Sequence, residues 1–367
     1  MTGRRPRRIL MTGDCVGGVW TYALDLAAGL AAYDVEVTLF VSGAALTPAK
    51  SRAAGRLGNL TLVGSDLKLE WMEDPEEDLA TTDRLLLELE DAVRPDVVHI
   101  NGYAAAAAGF AAPVLAVAHS CVETWWRAVK GEPAPAEWDR YRARIRAGTA
   151  AARCLVAPTR AHLKAFAAAH GRPGAGRVIH NGCDTERHAA DRKTDRVLAA
   201  GRIWDEAKNL AVLGDVARRG VPIALAGDAG CATVGGDGLT HLGALEADAM
   251  AAQMATSSVF VAPALYEPFG LAVLEAALSE CALVVGDIPT MRELWDGVAF
   301  FVPPRDPDAI AATLRHLLTD RNGTREAGAA ARARALRNSR DAMAQQYLHL
   351  YSEVMASGGA TTRARAA

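Results

Sequence analysis

The chain has 367 residues, 50% hydrophobic and 23% charged; that composition is globular and the length exceeds one ordinary core, so two domains are expected. A net charge of −3 argues against a surface built for nucleic acid. No stretch approaches the roughly 20 apolar residues of a membrane span.

Short apolar runs alternate with helical patterns along the chain. RILMTG (8–13) reads as a strand ending in a loop, VWTYALDLAAGLAAY (19–33) as a helix, and VEVTLFVSG (35–43) as the next strand. Strand patterns follow at 60–63, 96–100, 114–119, 154–159 and 177–182. A second series begins after about residue 193, at 196–202, 222–228, 239–243, 259–264, 282–287 and 299–304. Strand–helix alternation of this kind predicts α/β domains, each a parallel sheet with helices on both faces.

The expected division is an N-terminal Rossmann-like domain over 1–182 and a C-terminal one over 183–340. The polar segment CDTERHAADRKTD (183–195) is the linker candidate. A final helix over 341–355 carries an aromatic and aliphatic stripe, and the low-complexity tail 356–367 reads as disordered.

The six cysteines, Cys15, Cys121, Cys154, Cys183, Cys231 and Cys281, form no CxxC pair. They suggest neither a metal knuckle nor a disulfide framework, and fit a reducing cytosol. MTGRRPRRIL (1–10) is basic but leads straight into a strand, without the apolar run and cleavage site of a signal peptide. A soluble, cytoplasmic protein is expected.

Open α/β sheets bind ligands beyond the C-terminal ends of their strands, and the chemically distinctive segments lie just after strands. In YEPFGLAVLE (266–275), Glu267 and Glu275 bracket Pro268, Gly270 and an apolar run at the start of a helix. That helix start offers unpaired N–H groups and a positive dipole end, suited to a diphosphate. Carboxylates repel a diphosphate, so their partners should be neutral hydroxyls at either side of it. Eight residues of helix is roughly 12 Å, about the reach from a sugar past a diphosphate to a ribose. In GRIWDEAKN (201–209), Arg202 and Lys208 share one post-strand loop and could neutralise a departing diphosphate. The plainer alternatives are a capping Glu267, a solvated Glu275 and ordinary surface cations.

GRIWDEAKN resembles the GR…KN motif, and EPFGLAVLE the E-x7-E motif, of retaining GT-B glycosyltransferases of the glycosyltransferase family 4 (group 1) type. VIHNGCD (178–184) is similar to that family's interdomain NGVD element, with Cys in place of Val. PDVVHINGY (95–103) and GDCVGGVWTYALDLAAGL (13–30) resemble its N-terminal signatures. The resemblance covers nearly the whole chain, in the family's motif order. It implies a GT-B fold, two Rossmann-like domains facing across a cleft, with the C-terminal helix returning to the N-terminal domain.

The resemblance also implies roles. Arg202 and Lys208 would bind the donor diphosphate, Glu275 the ribose and Glu267 the sugar ring. Phe269, Gly270 and Leu271 would give backbone contacts, and Gly17 and Gly18 would approach the diphosphate from the other domain. His119, in VAHSC, would contact the transferred sugar, and the loop around Leu242–Leu245, with Leu245, would border the base. The implied activity is a hexosyltransferase moving a sugar from a UDP- or GDP-sugar to a hydroxyl of a glycan, lipid-linked or small-molecule acceptor. A sugar-nucleotide epimerase of GT-B fold is the alternative.

No cofactor and no metal are expected beyond the nucleotide-sugar co-substrate. DPD (306–308) resembles a D-x-D metal signature but reads better as a helix cap, with Pro307 near the first turn. The segment 121–146, with Trp125, Trp126, Trp138, Arg142 and Arg146, could border an acceptor or an anionic membrane surface; a solvated face or plain core is equally open. Nucleic acid is not an expected partner.

Overall fold

The computed structural model describes residues 4–230 and 235–365. Contacts divide the chain into two compact units. The first takes in residues up to Thr124, Pro133–Gly182 and the segment from Arg340; the second takes in Trp125–Glu132 and Cys183–Ser339. The segment 125–132, read within the first domain, thus belongs to the second unit, while the segment from Arg340 belongs to the first.

In the first unit the strands are β1 (Arg8–Asp14), β2 (Glu36–Ser42), β3 (Leu60–Gly64), β4 (Val97–Ile100), β5 (Val114–Val117), β6 (Cys154–Ala157) and β7 (Gly176–Val178). Among the described residues they form one sheet in the order β3-β2-β1-β4-β5-β6-β7, with every neighbouring pair parallel. The second unit holds β8 (Thr194–Ala200), β9 (Ile223–Ala226), β10 (Leu239–His241), β11 (Ser257–Ala262), β12 (Ala282–Gly286) and β13 (Ala299–Val302). Their order is β10-β9-β8-β11-β12-β13, again parallel throughout. All thirteen expected strands are present, within a few residues of their predicted bounds.

The strands read as continuous apolar runs because both sheet faces are covered. In the second unit, Val197, Ala199, Val259, Val261, Ala282 and Val284 face one core. Their chain neighbours Leu198, Phe260, Leu283 and Val285 face the other. Alternation along each strand thus feeds two cores rather than a core and solvent.

The C-terminal helix, Arg340–Arg365, packs in the first unit against the helix Gly18–Ala31. Gly29 makes that approach possible: a Cβ there would lie 2.8 Å from the Arg340 carbonyl oxygen and 2.9 Å from the Ala344 Cβ. The predicted aromatic stripe is buried, with Tyr347 and Tyr351 at or below 1% exposure. The backbone helix continues to Arg365, through most of the segment read as a disordered tail. Ala366 and Ala367 lie outside the described residues, as does Cys231. The other five cysteines are free and buried. Among the described residues, no helix is long and apolar enough to cross a membrane.

Candidate functional site

The second unit gathers most of the anticipated residues at the C-terminal edge of its sheet. Arg202 follows β8, and Lys208 ends the short 3-10 turn Glu206–Lys208. Glu267 follows β11 and forms an ion pair with Lys208. The two loops are joined by backbone and side chain. Leu265 N–H donates to the Ala207 carbonyl at 2.8 Å. Asn209 adopts a left-handed φ of 52° and donates Nδ2–H to the Pro263 carbonyl at 2.9 Å and the Pro304 carbonyl at 2.6 Å. One amide thus ties the loops after β8, β11 and β13 together.

Arg202 is held by Asp205, Nη2 to Oδ2 at 2.7 Å. Asp205 also accepts from the Ala207 N–H at 3.0 Å and the Trp125 indole N–H at 3.2 Å. Burial alone would raise the Asp205 carboxyl, but the hydrogen bonds and charge of Arg202, with the Trp125 and Ala207 donors, outweigh it and hold it below its usual range. The Arg202 guanidinium lies 5.4 Å from the exposed Trp204 ring. Its Nε is buried and has no hydrogen-bond partner among the described residues, a donor left available in a polar setting.

The helix Leu271–Leu278 starts where the sequence places it. Gly270 is its N-cap at φ 88° and supplies no side-chain cap. Glu267 is therefore not the cap, contrary to the plainer alternative. A Cβ at Gly270 would press on Glu267 Cγ at 3.2 Å and Met291 Cε at 3.3 Å, and the left-handed backbone itself favours glycine. The Thr290 hydroxyl donates to the Glu267 carbonyl at 2.5 Å and steadies the turn. Phe269 is 3% exposed, so what it offers outward is backbone. Leu271 and Glu275 lie on the helix, partly exposed, and Leu245 lies in the loop after β10.

The first unit has its own cluster at the equivalent sheet edge. Gly17 and Gly18 follow β1, with Gly17 as N-cap of the helix Gly18–Ala31. The Gly17 N–H already donates to Asp14 Oδ1 at 2.9 Å, so only Gly18 and the following turn keep amides free of a side-chain cap. His119 follows β5. Its Nε2 lies 2.8 Å from Asn101 Oδ1, and its ring meets Tyr22 edge-on at 4.5 Å between centroids. Burial, reinforced by His99 and His162, pushes the His119 pKa down to about 3, so the imidazole is neutral at physiological pH.

Two other segments named in the sequence have defined partners. Asp306 caps the helix Pro307–Thr319, accepting from Asp308 N–H and Ala309 N–H at 3.0 Å each, with Pro307 in the first turn. Arg142 is engaged internally, with Glu123 at 3.3 Å and Asp139 at 2.7 Å. Arg140 and Arg144 both reach Glu76, at 3.6 and 2.6 Å. Arg140, Arg142 and Arg144 are thus engaged in ion pairs within the first unit, and Arg146 Nε donates to the Arg142 carbonyl at 3.4 Å.

Asp205 and Asn101 were not singled out from sequence, and Trp125 was singled out as an acceptor-side or core aromatic rather than as a partner of Asp205. Asp205 and Asn101 sit inside the quoted motifs, so proximity to Arg202 and a strand end was the available signal. Nothing local marks Trp125 as the partner of a residue 80 positions away.

The chain is similar to known proteins in sequence and fold. The family profile "Glycosyltransferase Family 4" matches residues 16–187, and "Glycosyl transferases group 1" matches 194–320. An Arabidopsis thaliana protein described as a probable sucrose-phosphate synthase is 39% identical over 71 residues, 18% of this chain; the chain spans only 6% of that relative's length. The sucrose-phosphate synthase of Thermosynechococcus elongatus superposes with TM-score 0.80 at 19% identity, over 96% of this chain and 100% of that one. Anabaena HepE, solved with UDP-glucose, superposes with TM-score 0.71 at 19% identity, over 95% of this chain and 99% of that one. With both profiles in register over most of its length and the two-sheet architecture to match, the chain belongs to the family 4, group 1 glycosyltransferases of GT-B fold.

Proposed function

We propose that this glycosyltransferase moves a hexosyl group, with retention of configuration, from a UDP-sugar to a hydroxyl of a sugar, glycan or lipid-linked acceptor. The observation that carries the reading is the convergence of Arg202, Lys208 and Glu267 at one sheet edge beside the uncapped start of the helix Leu271–Leu278. Two cations and a helix N-terminus suit a diphosphate. The UDP-glucose complex of the HepE relative supports uridine as the base.

As the bond between the anomeric carbon and the phosphate oxygen breaks, negative charge grows on the diphosphate. Arg202 and Lys208 stabilise it. The acceptor hydroxyl forms the new bond on the same face and gives its proton to a donor phosphate oxygen, so no side chain acts as nucleophile. Glu267 and Glu275 bind hydroxyls of the sugar and the ribose, and neutral His119 binds a sugar hydroxyl. With the cations in that role, no divalent ion is required; activity lost in chelator and restored by magnesium or manganese would overturn that part.

Thermal shift with UDP-, GDP- and ADP-sugars tests the donor, because a ligand that binds the folded state raises Tm. A UDP-sugar should give the largest shift, and Glu275→Gln should raise donor KM while largely preserving kcat. The reading fails if no nucleotide sugar moves Tm and Arg202→Ala keeps full activity.

A further inference from the structure

At the C-terminal ends of β1, β4 and β5, a chain of hydrogen bonds can be assigned proton by proton. Asn101 donates its side-chain Nδ2–H to the Thr12 carbonyl at 2.7 Å, and its backbone N–H to Thr12 Oγ1 at 2.9 Å. A carbonyl oxygen only accepts, so this end of the amide must be the nitrogen and the other end the oxygen. That oxygen, also acceptor-only, lies 2.8 Å from His119 Nε2 and 3.2 Å from His99 Nε2. His119 must therefore carry a proton on Nε2; His99 Nε2 also lies 3.3 Å from the Tyr22 hydroxyl. The other side of His99 is compatible with the same tautomer. Its Nδ1 lies 2.6 Å from the Tyr351 hydroxyl, which can donate to a lone pair there. Both histidines are neutral because burial opposes their charged forms, so a proton on Nε2 leaves Nδ1 as the acceptor.

We infer that Asn101 is a positioning residue that holds His119 as the Nε2–H tautomer, so that the ring offers Nδ1 as an acceptor to a hydroxyl. Tyr22 fixes the ring plane by its edge-on contact, and Asn101 fixes the proton. Asn101 is itself fixed through two bonds to Thr12, and none of these residues needs to touch substrate. Without the Asn101 oxygen, the proton could move to Nδ1. The ring would then present a donor where an acceptor is required. The purpose of this control rests on the assignment of His119 to a sugar hydroxyl; the tautomer does not.

The test is 15N-histidine NMR on the full chain, with the His119 signals identified by their absence in His119→Gln. In the wild type, His119 should show a protonated, pyrrole-type Nε2 and a pyridine-type Nδ1. Asn101→Leu should shift His119 toward a mixture of tautomers, whereas Asn101→Asp, which keeps an acceptor oxygen, should keep the proton on Nε2. In parallel, Asn101→Leu should lower transfer kcat by about tenfold or more through misplacement, with Asn101→Asp less affected. A wild-type proton on Nδ1, or an unchanged tautomer in folded Asn101→Leu, would overturn the inference; the wild-type measurement decides even where the Leu variant does not fold. A tautomer change with unaltered kinetics would uphold the role of Asn101 and instead remove His119 from the sugar site.

Discussion

Lys208 and Glu267 form an ion pair across 59 residues of sequence. Their side chains are 23% and 17% exposed, so each sits where an uncompensated charge is costly. On the proposed reading, the pair keeps a cation for the diphosphate and an acid for hydroxyls side by side. Lys208→Ala and Glu267→Ala should each lower kcat/KM by about a hundredfold. The double variant should fall well short of the product of the two losses, because each single change also strands its partner. Steady-state kinetics of the four proteins checks this, and strict additivity would show the two groups act apart.

Asp205 should matter through Arg202. It receives Arg202, Trp125 and the Ala207 amide at once. Asp205→Asn removes the charge-assisted bond to the guanidinium, worth about 1.5–3 kcal/mol. Donor KM should rise about tenfold with the melting temperature little changed, and Trp125→Phe should give a smaller shift in the same direction. Donor titrations of both variants provide the measurement.

The buried His99 and the half-buried His119 set an acid limit. The pKa values of His99 and His119 are pushed down to about 3 in the folded protein, against about 6.5 for an unfolded chain. Above pH 6.5 both are neutral folded or unfolded, and stability is complete. As pH falls from 6.5 toward 3, the unfolded chain binds protons that the folded one refuses, and stability declines. At pH 5 the loss is about 2 kcal/mol per histidine. Urea unfolding at pH 7 and pH 5 should show a smaller difference for His119→Gln than for the wild type.

Gly29 should be intolerant of size. A side chain there meets the Arg340 carbonyl and the Ala344 methyl on the C-terminal helix. Gly29→Val should cost about 1–3 kcal/mol of stability by overpacking, read as a lower melting temperature and faster proteolysis of the C-terminal helix.

Much of the fold was legible because it is written locally. Runs such as VEVTLFVSG and ALVVGD are strand patterns whatever surrounds them, and β2 and β12 lie within those runs. The start of the helix at Leu271 followed from Pro268 and Gly270, and the Asp306 cap from Asp-Pro chemistry. The reading of 125–132 within the first domain failed to anticipate Trp125 donating to Asp205 and Arg305 reaching the Val129 carbonyl at 2.8 Å. No periodicity encodes such a partnership.

The sequence by itself determined the strand–helix alternation, the parallel sheets and the placing of chemically distinctive residues just after strands, since these depend on side-chain pattern and turn chemistry within a few residues. Only the tertiary structure decided that Lys208 meets Glu267, that Asp205 holds Arg202 with help from Trp125, and that Tyr351 reaches His99 across 252 positions. Those pairings depend on the order in which strands assemble and on where the last helix docks. Strand order is a property of the whole packed chain, because it follows from burying both faces of each sheet at once.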